Sequence, residues 1–258
     1  MLSNPRQQQL IDTLAVRRFL RLDDAVKLTN ASLATVRRDF AALAEAGVVQ
    51  RFRGGIRLPQ SDTMLPFALR DYLFSEAKQR LAQRAAALLR PGDVLFVDGG
   101  TTTAHLAACL PAIPLRIITN SVRLATMLDE GNRRSNYEIY LTGGGLYPRS
   151  GLLTGPSAAA AVAQYRACWA FLSVGGLTRD GLFNTTESVV ETERRMIAHA
   201  EKVVVVADHS KIGRTAMCRV CPLEEIDILI TEDTAPVAPL REKLEASCVQ
   251  CILVPASI

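Results

Sequence analysis

The sequence predicts an α/β protein in which a small, basic N-terminal module is joined to a larger, mainly parallel α/β domain. Three features predict this fold class. The module holds all of the excess positive charge and contains a capped helix with two adjacent arginines, and apolar strands alternate with helices over the rest of the chain. We expect the first domain at residues 1–58, a linker at 59–74 and the second domain at 75–258.

The composition is that of a globular chain. Of its 258 residues, 48% are hydrophobic and 22% are charged, which excludes disorder as a description of the whole chain. No apolar run approaches the ~20 residues that a membrane helix needs. Because no apolar segment follows Arg6, we expect neither a signal peptide nor a membrane partner, and we expect a cytoplasmic protein.

The cysteines leave one alternative to weigh. Two CxxC pairs, Cys218–Cys221 and Cys248–Cys251, are compatible with a zinc site. However, Cys248 and Cys251 alternate with apolar residues in a strand-like segment, and no histidines cluster nearby. This pattern favours reduced thiols in a cytoplasmic protein. We therefore expect neither a metal ion nor a cofactor.

The charge is unevenly distributed. The whole chain is +4, whereas residues 1–58 hold ten Lys and Arg against five acids, so that the module is +5 and the rest of the chain is −1. A basic excess confined to one small module is typical of proteins that bind DNA phosphates. An ordinary basic surface would give the same count, so the charge leaves both interpretations open.

The N-terminal module is predicted to contain three helices. The first begins near Pro5, which is a favoured position for proline at a helix start. The second is expected to use Asp23 or Asp24 as its cap. The third begins at Ser32, another capping residue, and ends at Gly47.

The third helix has two distinct faces. At about 100° per residue, its core face is expected to hold Leu33, Val36, Phe40 and Leu43. The opposite face carries the small residue Ala34 together with Thr35 and Arg38. Arg38 would read guanine in a major groove, Thr35 would reach a base edge or a thymine methyl, and Arg37 on the flank would contact phosphate.

A short basic hairpin follows this helix, with strands at 48–51 and 56–58 around a Gly-Gly turn. Its arginines, Arg51, Arg53 and Arg57, would track phosphates or enter a minor groove. A helix-turn-helix at about residues 20–39 followed by a basic wing indicates DNA binding. The alternative is a surface helix whose arginines pair with Asp39 or Glu45.

The motif SLATVRRD at 32–39, followed by Leu43, Gly47, Arg51 and a Gly-Gly pair, resembles the N-terminal winged helix of the DeoR family of bacterial transcriptional regulators. The resemblance covers residues from about 3 to 58. Phe52-Arg53 departs from the family, which usually places one or two histidines there. The residues expected to contact DNA are Ser32, Ala34, Thr35, Arg37, Arg38, Arg51 and Arg53.

In the large domain, continuous apolar strands separated by helices predict a parallel sheet covered on both faces. Ligands of such sheets bind beyond the carboxyl ends of the strands. Five predicted strands end in loops rich in Gly, Ser, Thr or charged residues, at 98–103, 119–121, 142–145, 173–176 and 208–211. One such loop is a weak signal, because tight turns use these residues anyway. Five together predict a pocket for a polar ligand, although neither GxxxxGK[ST] nor GxGxxG is present.

The motifs DGGTT at 98–102, TNS at 119–121 and DHSK at 208–211, with Gly143, Gly144, Arg149 and Gly155, resemble the sensor domain of the DeoR family. That domain shares its fold with ribose-5-phosphate isomerase and related sugar-phosphate enzymes. The resemblance implies a phosphorylated sugar or sugar derivative as effector, with the loop at 100–103 taking the phosphate and Lys211 nearby. The family's acid corresponds to Glu187 or Glu191, and its register stays open.

The residues expected to contact the effector are Asp98, Gly100, Thr101, Thr102, Thr103, Thr119, Asn120, Ser121, Gly143, Gly144, Arg149, Gly175, Glu187 and Lys211.

The expected function is that of a DNA-binding transcriptional regulator. We expect it to repress a sugar-catabolism operon and to leave its double-stranded DNA operator when a phosphorylated sugar binds. Paired half-sites imply a homodimer or homotetramer. The alternative is a sugar-phosphate isomerase-like enzyme with an accessory N-terminal module, which would need a general base such as Asp98, Glu187 or Lys211. We favour the regulator, which is not an enzyme.

Overall fold

A computed structural model describes residues 4–59, 65–131, 136–147 and 150–256. Its internal contacts divide the chain into two compact units, Met1–Phe74 and Ser75–Ile258. Within the described ranges, no helix is both long and apolar enough to cross a membrane. The predicted α/β class, with a small helix-turn-helix unit and a larger parallel sheet, is confirmed.

The first unit consists of three main helices, a three-stranded antiparallel sheet in the order β1-β3-β2 and a short fourth helix. Its elements are α1 (Pro5–Arg17), β1 (Phe19–Arg21), α2 (Leu22–Thr29), α3 (Leu33–Glu45), β2 (Gln50–Phe52), β3 (Gly55–Arg57) and α4 (Phe67–Tyr72). Strand β1 was not predicted, because three residues are too few to show a periodic pattern.

Capping residues determine where the helices of this unit begin. The side chain of Asn4 accepts a hydrogen bond from the Arg6 amide at the start of α1, and that of Ser32 accepts one from the Thr35 amide at the start of α3. The predicted cap of α2 was wrong. Its N-cap is Arg21, and the two acids lie in the first turn, where the helix dipole favours negative charge.

The core of the first unit is formed by buried side chains from α1, α3 and the sheet, among them Leu10, Ile11, Leu14, Leu20, Val36, Phe40, Leu43 and Ile56. The prediction that Leu33 belongs to this core was wrong, since its side chain is 43% exposed. Leu33 is the first residue of α3 and lies to one side of the face that the other apolar residues form.

The described part of the predicted linker belongs to the N-terminal core. Leu65, Leu69 and Leu73 are buried in the same apolar cluster as α1 and α3, and α4 lies among them. Leucines at a helical spacing of four residues form an apolar stripe, which explains their burial. Residues 60–64 lie outside the described ranges.

The second unit is built on a seven-stranded sheet in the order β15-β14-β12-β9-β4-β5-β6, in which every neighbouring pair is parallel. The sheet strands are β4 (Val94–Val97), β5 (Leu115–Thr119), β6 (Tyr137–Leu141), β9 (Ala167–Leu172), β12 (Ala200–Val206), β14 (Ile228–Glu232) and β15 (Gln250–Val254). The helices are α5 (Ser75–Ala86), α6 (Thr101–Ala104), α7 (Val122–Gly131), α8 (Pro156–Val162), α9 (Glu187–Ala198) and α10 (Arg241–Ala246).

Smaller antiparallel elements were not predicted. They are the hairpin of β7 (Gly145–Tyr147) and β8 (Leu152–Thr154) and a three-stranded sheet of β10 (Gly176–Thr178), β11 (Gly181–Asn184) and β13 (Cys218–Arg219). Each strand has four residues or fewer, so its sequence pattern is indistinguishable from that of a polar loop.

Apolar residues pack on both faces of the large sheet. Along β12, Val203 and Val205 belong to one core cluster, whereas Val204 and Val206 belong to the other. Successive side chains of a strand point to opposite faces, so a continuous apolar run is what a strand buried on both sides requires.

The order of the strands creates a switch point between β4 and β9. From β4 the chain adds β5 and then β6 on one side, and it later adds β9, β12, β14 and β15 on the other. The connections that follow β4 and β9 therefore lead to opposite sides of this point at the carboxyl edge of the sheet. In sheets of this kind, ligands bind at that position.

We expect Gly55→Ala to destabilise the first unit. A Cβ at this position would lie 2.4 Å from the backbone oxygen of Leu20, on the neighbouring strand β1. A clash with backbone is not relieved by side-chain movement, and such overpacking costs about 1–3 kcal/mol. Denaturant unfolding of the full chain measures the loss, and Gly131→Ala, where a Cβ meets nothing within 4 Å, is the control. Equal stability of the two variants would contradict the expectation.

Candidate DNA-binding and effector-binding sites

The exposed side of α3 carries the residues that were predicted to contact DNA. Ala34, Arg37 and Arg38 are exposed, whereas Val36 and Phe40 face the core. Within the described residues, neither Arg37 nor Arg38 has an ion-pair partner. Both guanidinium groups can therefore bind an external acceptor without breaking an internal contact.

Ser32 and Thr35 are engaged with each other at the start of α3. The Ser32 hydroxyl accepts a hydrogen bond from the Thr35 amide at 3.2 Å, and the two hydroxyl oxygens lie 2.8 Å apart. This arrangement satisfies one of the amides that a helix start leaves unpaired. A base contact made by the Thr35 hydroxyl would compete with this cap.

Asp39 forms hydrogen bonds within the first unit. Its buried carboxylate accepts hydrogen bonds from Arg6 Nε at 2.5 Å and Arg6 Nη2 at 3.1 Å, and from Gln7 Nε2 at 3.3 Å. This ion pair joins α1 to α3. The alternative in which Arg37 or Arg38 pairs with Asp39 is therefore not what the structure shows.

The wing presents two further predicted contacts. Arg51 lies on β2 and Arg53 lies in the two-residue turn to β3, and both are exposed. The second turn residue, Gly54, has φ +90°, a conformation that glycine adopts readily. Among the described residues, neither arginine has an ion-pair partner. The wing and the exposed face of α3 thus both carry unpaired positive charge.

In the second unit, Asp98 lies at the switch point and is fully engaged. Its Oδ2 accepts hydrogen bonds from the amide and the hydroxyl of Ser173, both at 2.8 Å. Its Oδ1 accepts from the Gly100 amide at 3.3 Å and from the Thr103 hydroxyl. Burial raises the pKa of Asp98, and these hydrogen bonds oppose that shift. Asp98 joins the loops after β4 and β9 and offers no unused oxygen.

The loop that was predicted to take the phosphate is packed tightly. A Cβ at Gly100 would lie 1.7 Å from the Ser173 hydroxyl, so that this position has no room for a side chain. Thr101, Thr102 and Thr103 are buried in the single turn of α6. The hydroxyl of Thr103 donates to Asp98, which leaves Thr101 and Thr102 as the hydroxyls of this loop for a ligand.

The TNS segment after β5 braces the hairpin of β7 and β8. The Asn120 amide group donates to the Leu153 carbonyl at 3.2 Å, and the Leu153 amide donates to the Asn120 carbonyl at 2.7 Å. The Ser121 hydroxyl accepts from the amide of Leu124 in α7, and the Thr119 hydroxyl accepts from the Ser121 amide. Among the described residues, the buried Oδ1 of Asn120 has no hydrogen-bond partner.

Charged groups collect after β12. Asp208 is fully buried, and its electrostatic partners are Lys211 in the same loop and Lys78 on α5. Although burial opposes ionisation most strongly, the two lysines and Ser210 lower the pKa of Asp208. Lys78 is only 2% exposed, because it lies on the buried, mainly apolar face of α5.

Glu193 is a buried acid that sequence analysis missed. It lies on α9 and is 2% exposed. Its Oε1 accepts a hydrogen bond from Asn184 Nδ2 at 2.7 Å, whereas its Oε2 has no partner in the part of the chain that the structure describes. Burial, together with the negative charge of Asp98, raises the pKa of Glu193 to about 8. By contrast, the predicted Glu187 and its alternative Glu191 are both exposed.

The other predicted effector residues are distributed as follows. Gly143 and Gly144 are exposed and form the turn that leads into β7. Gly175 contacts β11, since its amide donates a hydrogen bond to the Phe183 carbonyl. Arg149 lies outside the described residues. Lys211 lies in a 3₁₀ turn after β12.

Several strands of the sheet end near buried polar atoms that have no hydrogen-bond partner. Within the described residues these atoms include Asn120 Oδ1 after β5, Asp208 Oδ2 and Ser210 Oγ after β12, and Thr231 Oγ1 near the end of β14. Buried polar groups are normally satisfied, so unsatisfied ones along the carboxyl edge favour a polar ligand site there. In the part of the chain that the structure describes, no group of three or more His, Cys, Asp or Glu side chains could hold a metal ion. All six cysteines are free thiols.

Comparison with known proteins identifies both units. The family model described as the DeoR-like helix-turn-helix domain matches residues 6–62, and that of the DeoR C-terminal sensor domain matches residues 74–233. The chain belongs to the DeoR family. The resemblance predicted from the sequence motifs is thereby confirmed for both units of this DeoR-family protein.

Two relatives from Escherichia coli (strain K12) match nearly the whole chain. The HTH-type transcriptional repressor CsqR is 35% identical over 97% of this chain and 95% of its own length. The glycerol-3-phosphate regulon repressor is 31% identical over 93% of this chain and 95% of its own length. The two units of this DeoR-family protein thus occur together in its relatives.

The similarity to solved structures is weaker than the similarity to these two relatives. Ribose 5 phosphate isomerase A from Neisseria gonorrhoeae is 13% identical, with a TM-score of 0.38 over 58% of this chain and 56% of its own. That value is too low to support an argument about function.

Some site residues lacked a sequence motif. Glu193 and Lys78 each lie among apolar residues at helical spacing, Glu193 with Val189, Val190 and Met196, and Lys78 with Leu81 and Ala82. One charged residue on the buried face of an amphipathic helix is the signal that would have found them. Ser173 was recognised only as part of a polar loop.

We expect the stability of the protein to fall as pH rises from about 4.5 to about 8, in part because of Glu193. Its pKa is raised from 4.5 to about 8 in the folded state, so that the folded state holds the proton throughout this window and the unfolded state does not. The contribution of Glu193 to the free energy of unfolding is therefore fully present below about pH 4.5 and is lost as pH rises to about 8. Its size is on the order of a few kcal/mol.

Glu193→Gln removes this contribution, because an amide does not titrate. Urea unfolding at pH 5, 6.5 and 8 should show a smaller loss of stability for Glu193→Gln than for the wild type. Glu191→Gln, an exposed change on the same helix, is the control and should follow the wild type. Parallel pH profiles for wild type and Glu193→Gln would contradict the expectation.

Proposed function

We propose that this DeoR-family protein is a transcriptional repressor that binds a double-stranded DNA operator and leaves it when a phosphorylated sugar or sugar derivative binds. The observation that carries the proposal is the presence, in one chain, of unpaired arginines on a winged helix and of unpaired polar atoms at the ligand edge of a parallel sheet. The proposed target is a sugar-catabolism operon. The names of the two relatives support a repressor, and one of them names a sugar-related phosphate regulon.

The DNA contacts follow from the exposed arginines. Arg38, on the exposed face of α3, would read a guanine in the major groove, and Arg37, Arg51 and Arg53 would contact phosphates. Ser32, Ala34 and Thr35 would lie against the groove at the start of the helix. Because a winged helix reads one half-site, two copies are needed for paired half-sites, which supports a homodimer or homotetramer. We place the protein in the cytoplasm, where its DNA target lies.

The effector site would be formed at the switch point. The backbone amides and the hydroxyls of Thr101 and Thr102 would bind the phosphate, with Lys211 supplying positive charge. Asn120 offers an unpaired buried oxygen to a sugar hydroxyl. Asp98 would act as the residue that positions the loops, since all of its oxygens are already engaged by the protein.

Effector binding would weaken DNA binding through a coupling free energy between the two sites. We favour a regulator over the isomerase-like alternative. Of the bases considered for an enzyme, Asp98 has its oxygens occupied and Glu187 is exposed. Assays of purified protein with aldose and ketose phosphates test the enzyme directly, and turnover would favour it.

We expect Arg38→Ala to lose operator binding. Loss of a bidentate contact to guanine costs about 1–3 kcal/mol of discrimination, which corresponds to roughly a tenfold to hundredfold weaker complex. Arg90→Ala, which removes an exposed arginine of the second unit, is the matched control for net charge. Fluorescence anisotropy with the DNA upstream of the protein's own gene cluster measures both. Equal affinities for the two variants would contradict the assignment of Arg38.

We expect Gly100→Ala to abolish the response to effector while operator affinity stays unchanged. The added Cβ would collide with Ser173 and displace the phosphate loop, which lies in a different unit from the winged helix. A thermal-shift screen of sugar phosphates identifies the effector in the wild type, since a ligand at 100 times its Kd adds about 2.7 kcal/mol. Gly131→Ala serves as control. A normal response by Gly100→Ala would show that the loop does not bind the effector.

A further inference from the structure

Glu193 is buried without a complete set of partners. Its Oε1 accepts a hydrogen bond from Asn184, whereas its Oε2 has no partner among the described residues, although Glu193 is only 2% exposed. A buried carboxyl group that lacks a partner on one oxygen loses the hydration that it had in water. Such a group is retained at a cost in stability, which suggests that its partner is supplied from outside the protein.

Glu193 is close to the effector site. It interacts electrostatically with Asp98, which joins the loops at the switch point. Its partner Asn184 lies directly against Gly175, since a Cβ at Gly175 would be 3.3 Å from the Asn184 Cα. Through its hydrogen bond to Asn184, Glu193 is thus joined to the loop that follows β9.

The charges around Glu193 restrict what it can bind. Asp98 faces it from the end of β4, and the Cys221 thiol faces it from the segment after β13. The pKa of Cys221 is raised to about 12, so this thiol stays neutral when Glu193 titrates. A bound phosphate would add negative charge. A second anionic group on the ligand would therefore be repelled, whereas a hydroxyl can accept or donate a hydrogen bond.

We propose that Glu193 contacts the effector, and that its Oε2 atom forms a hydrogen bond with a neutral hydroxyl group of a phosphorylated sugar or polyol. Phosphorylated sugar acids, which carry a carboxylate in place of that hydroxyl, would be discriminated against. This inference rests on the proposed effector site and adds to it the chemical class of the ligand.

The test uses two pairs of probes that differ in one group. Glycerol 3-phosphate and sorbitol 6-phosphate carry a hydroxymethyl group where 3-phosphoglycerate and 6-phosphogluconate carry a carboxylate. Calorimetric titration of the full-length protein at pH 7 gives the affinity for each probe. We expect the wild type to prefer the polyol of at least one pair by tenfold or more.

Glu193→Gln keeps the shape and the hydrogen-bonding capacity of the side chain but cannot ionise. We expect it to bind the polyol at pH 7 within threefold of the wild type and with the same preference over the sugar acid, because the wild-type carboxyl group is mostly protonated at that pH. Between pH 7 and 9 the wild type should lose affinity as Glu193 ionises, whereas Glu193→Gln should lose less. Glu193→Ala should bind the polyol at least tenfold more weakly, and Glu191→Gln should match the wild type. If Glu193→Ala does not fold, the pH profile of Glu193→Gln decides the matter.

The outcomes distinguish the two proposals. If the wild type binds a polyol phosphate and Glu193→Gln loses as much affinity as the wild type between pH 7 and 9, the role of Glu193 is overturned and the effector site stands. Tighter binding of the sugar acid by the wild type would also overturn it. If the wild type binds no sugar phosphate in the calorimeter or in the thermal-shift screen, the proposed effector function fails and this inference fails with it.

Discussion

The buried carboxylate of Asp98 connects the two strands between which the sheet changes direction. β4 and β9 are neighbours in the sheet but far apart in the chain, and the loops beyond them would be free to separate. Asp98 accepts hydrogen bonds from Ser173 on one side and from Gly100 and Thr103 on the other. This edge of the sheet keeps its shape because both loops are bonded to one side chain.

The remainder of the effector site is organised around this connection. The segment after β5 is fixed to the hairpin through Asn120 and Leu153, and the segment after β12 carries Asp208 and Lys211. Each of these groups follows the carboxyl end of a parallel strand, so the topology of the sheet brings them to one edge. Residues that bind a ligand weakly when considered one at a time can therefore form one polar surface.

The sequence was sufficient to predict the fold class, the cap at Ser32 and the polar loops at the strand ends, because these depend on local patterns of apolar and capping residues. It did not reveal Glu193, whose role depends on burial and on a contact with Asn184 nine positions away. It also assigned Leu33 to the core, although this residue at the start of α3 is exposed. In both cases the position of a residue in the folded unit decides whether it is buried, and the pattern of one segment does not contain that position.

The ion pair between Arg6 and Asp39 has a consequence for ionic strength. Its carboxylate is buried, and salt screens buried pairs much less than exposed ones. The arginines of α3 and the wing are exposed and would act on phosphates, where added salt weakens binding steeply. A moderate rise in salt concentration would therefore release the protein from DNA while its winged helix stays folded, so that dissociation and unfolding respond to different ranges of salt.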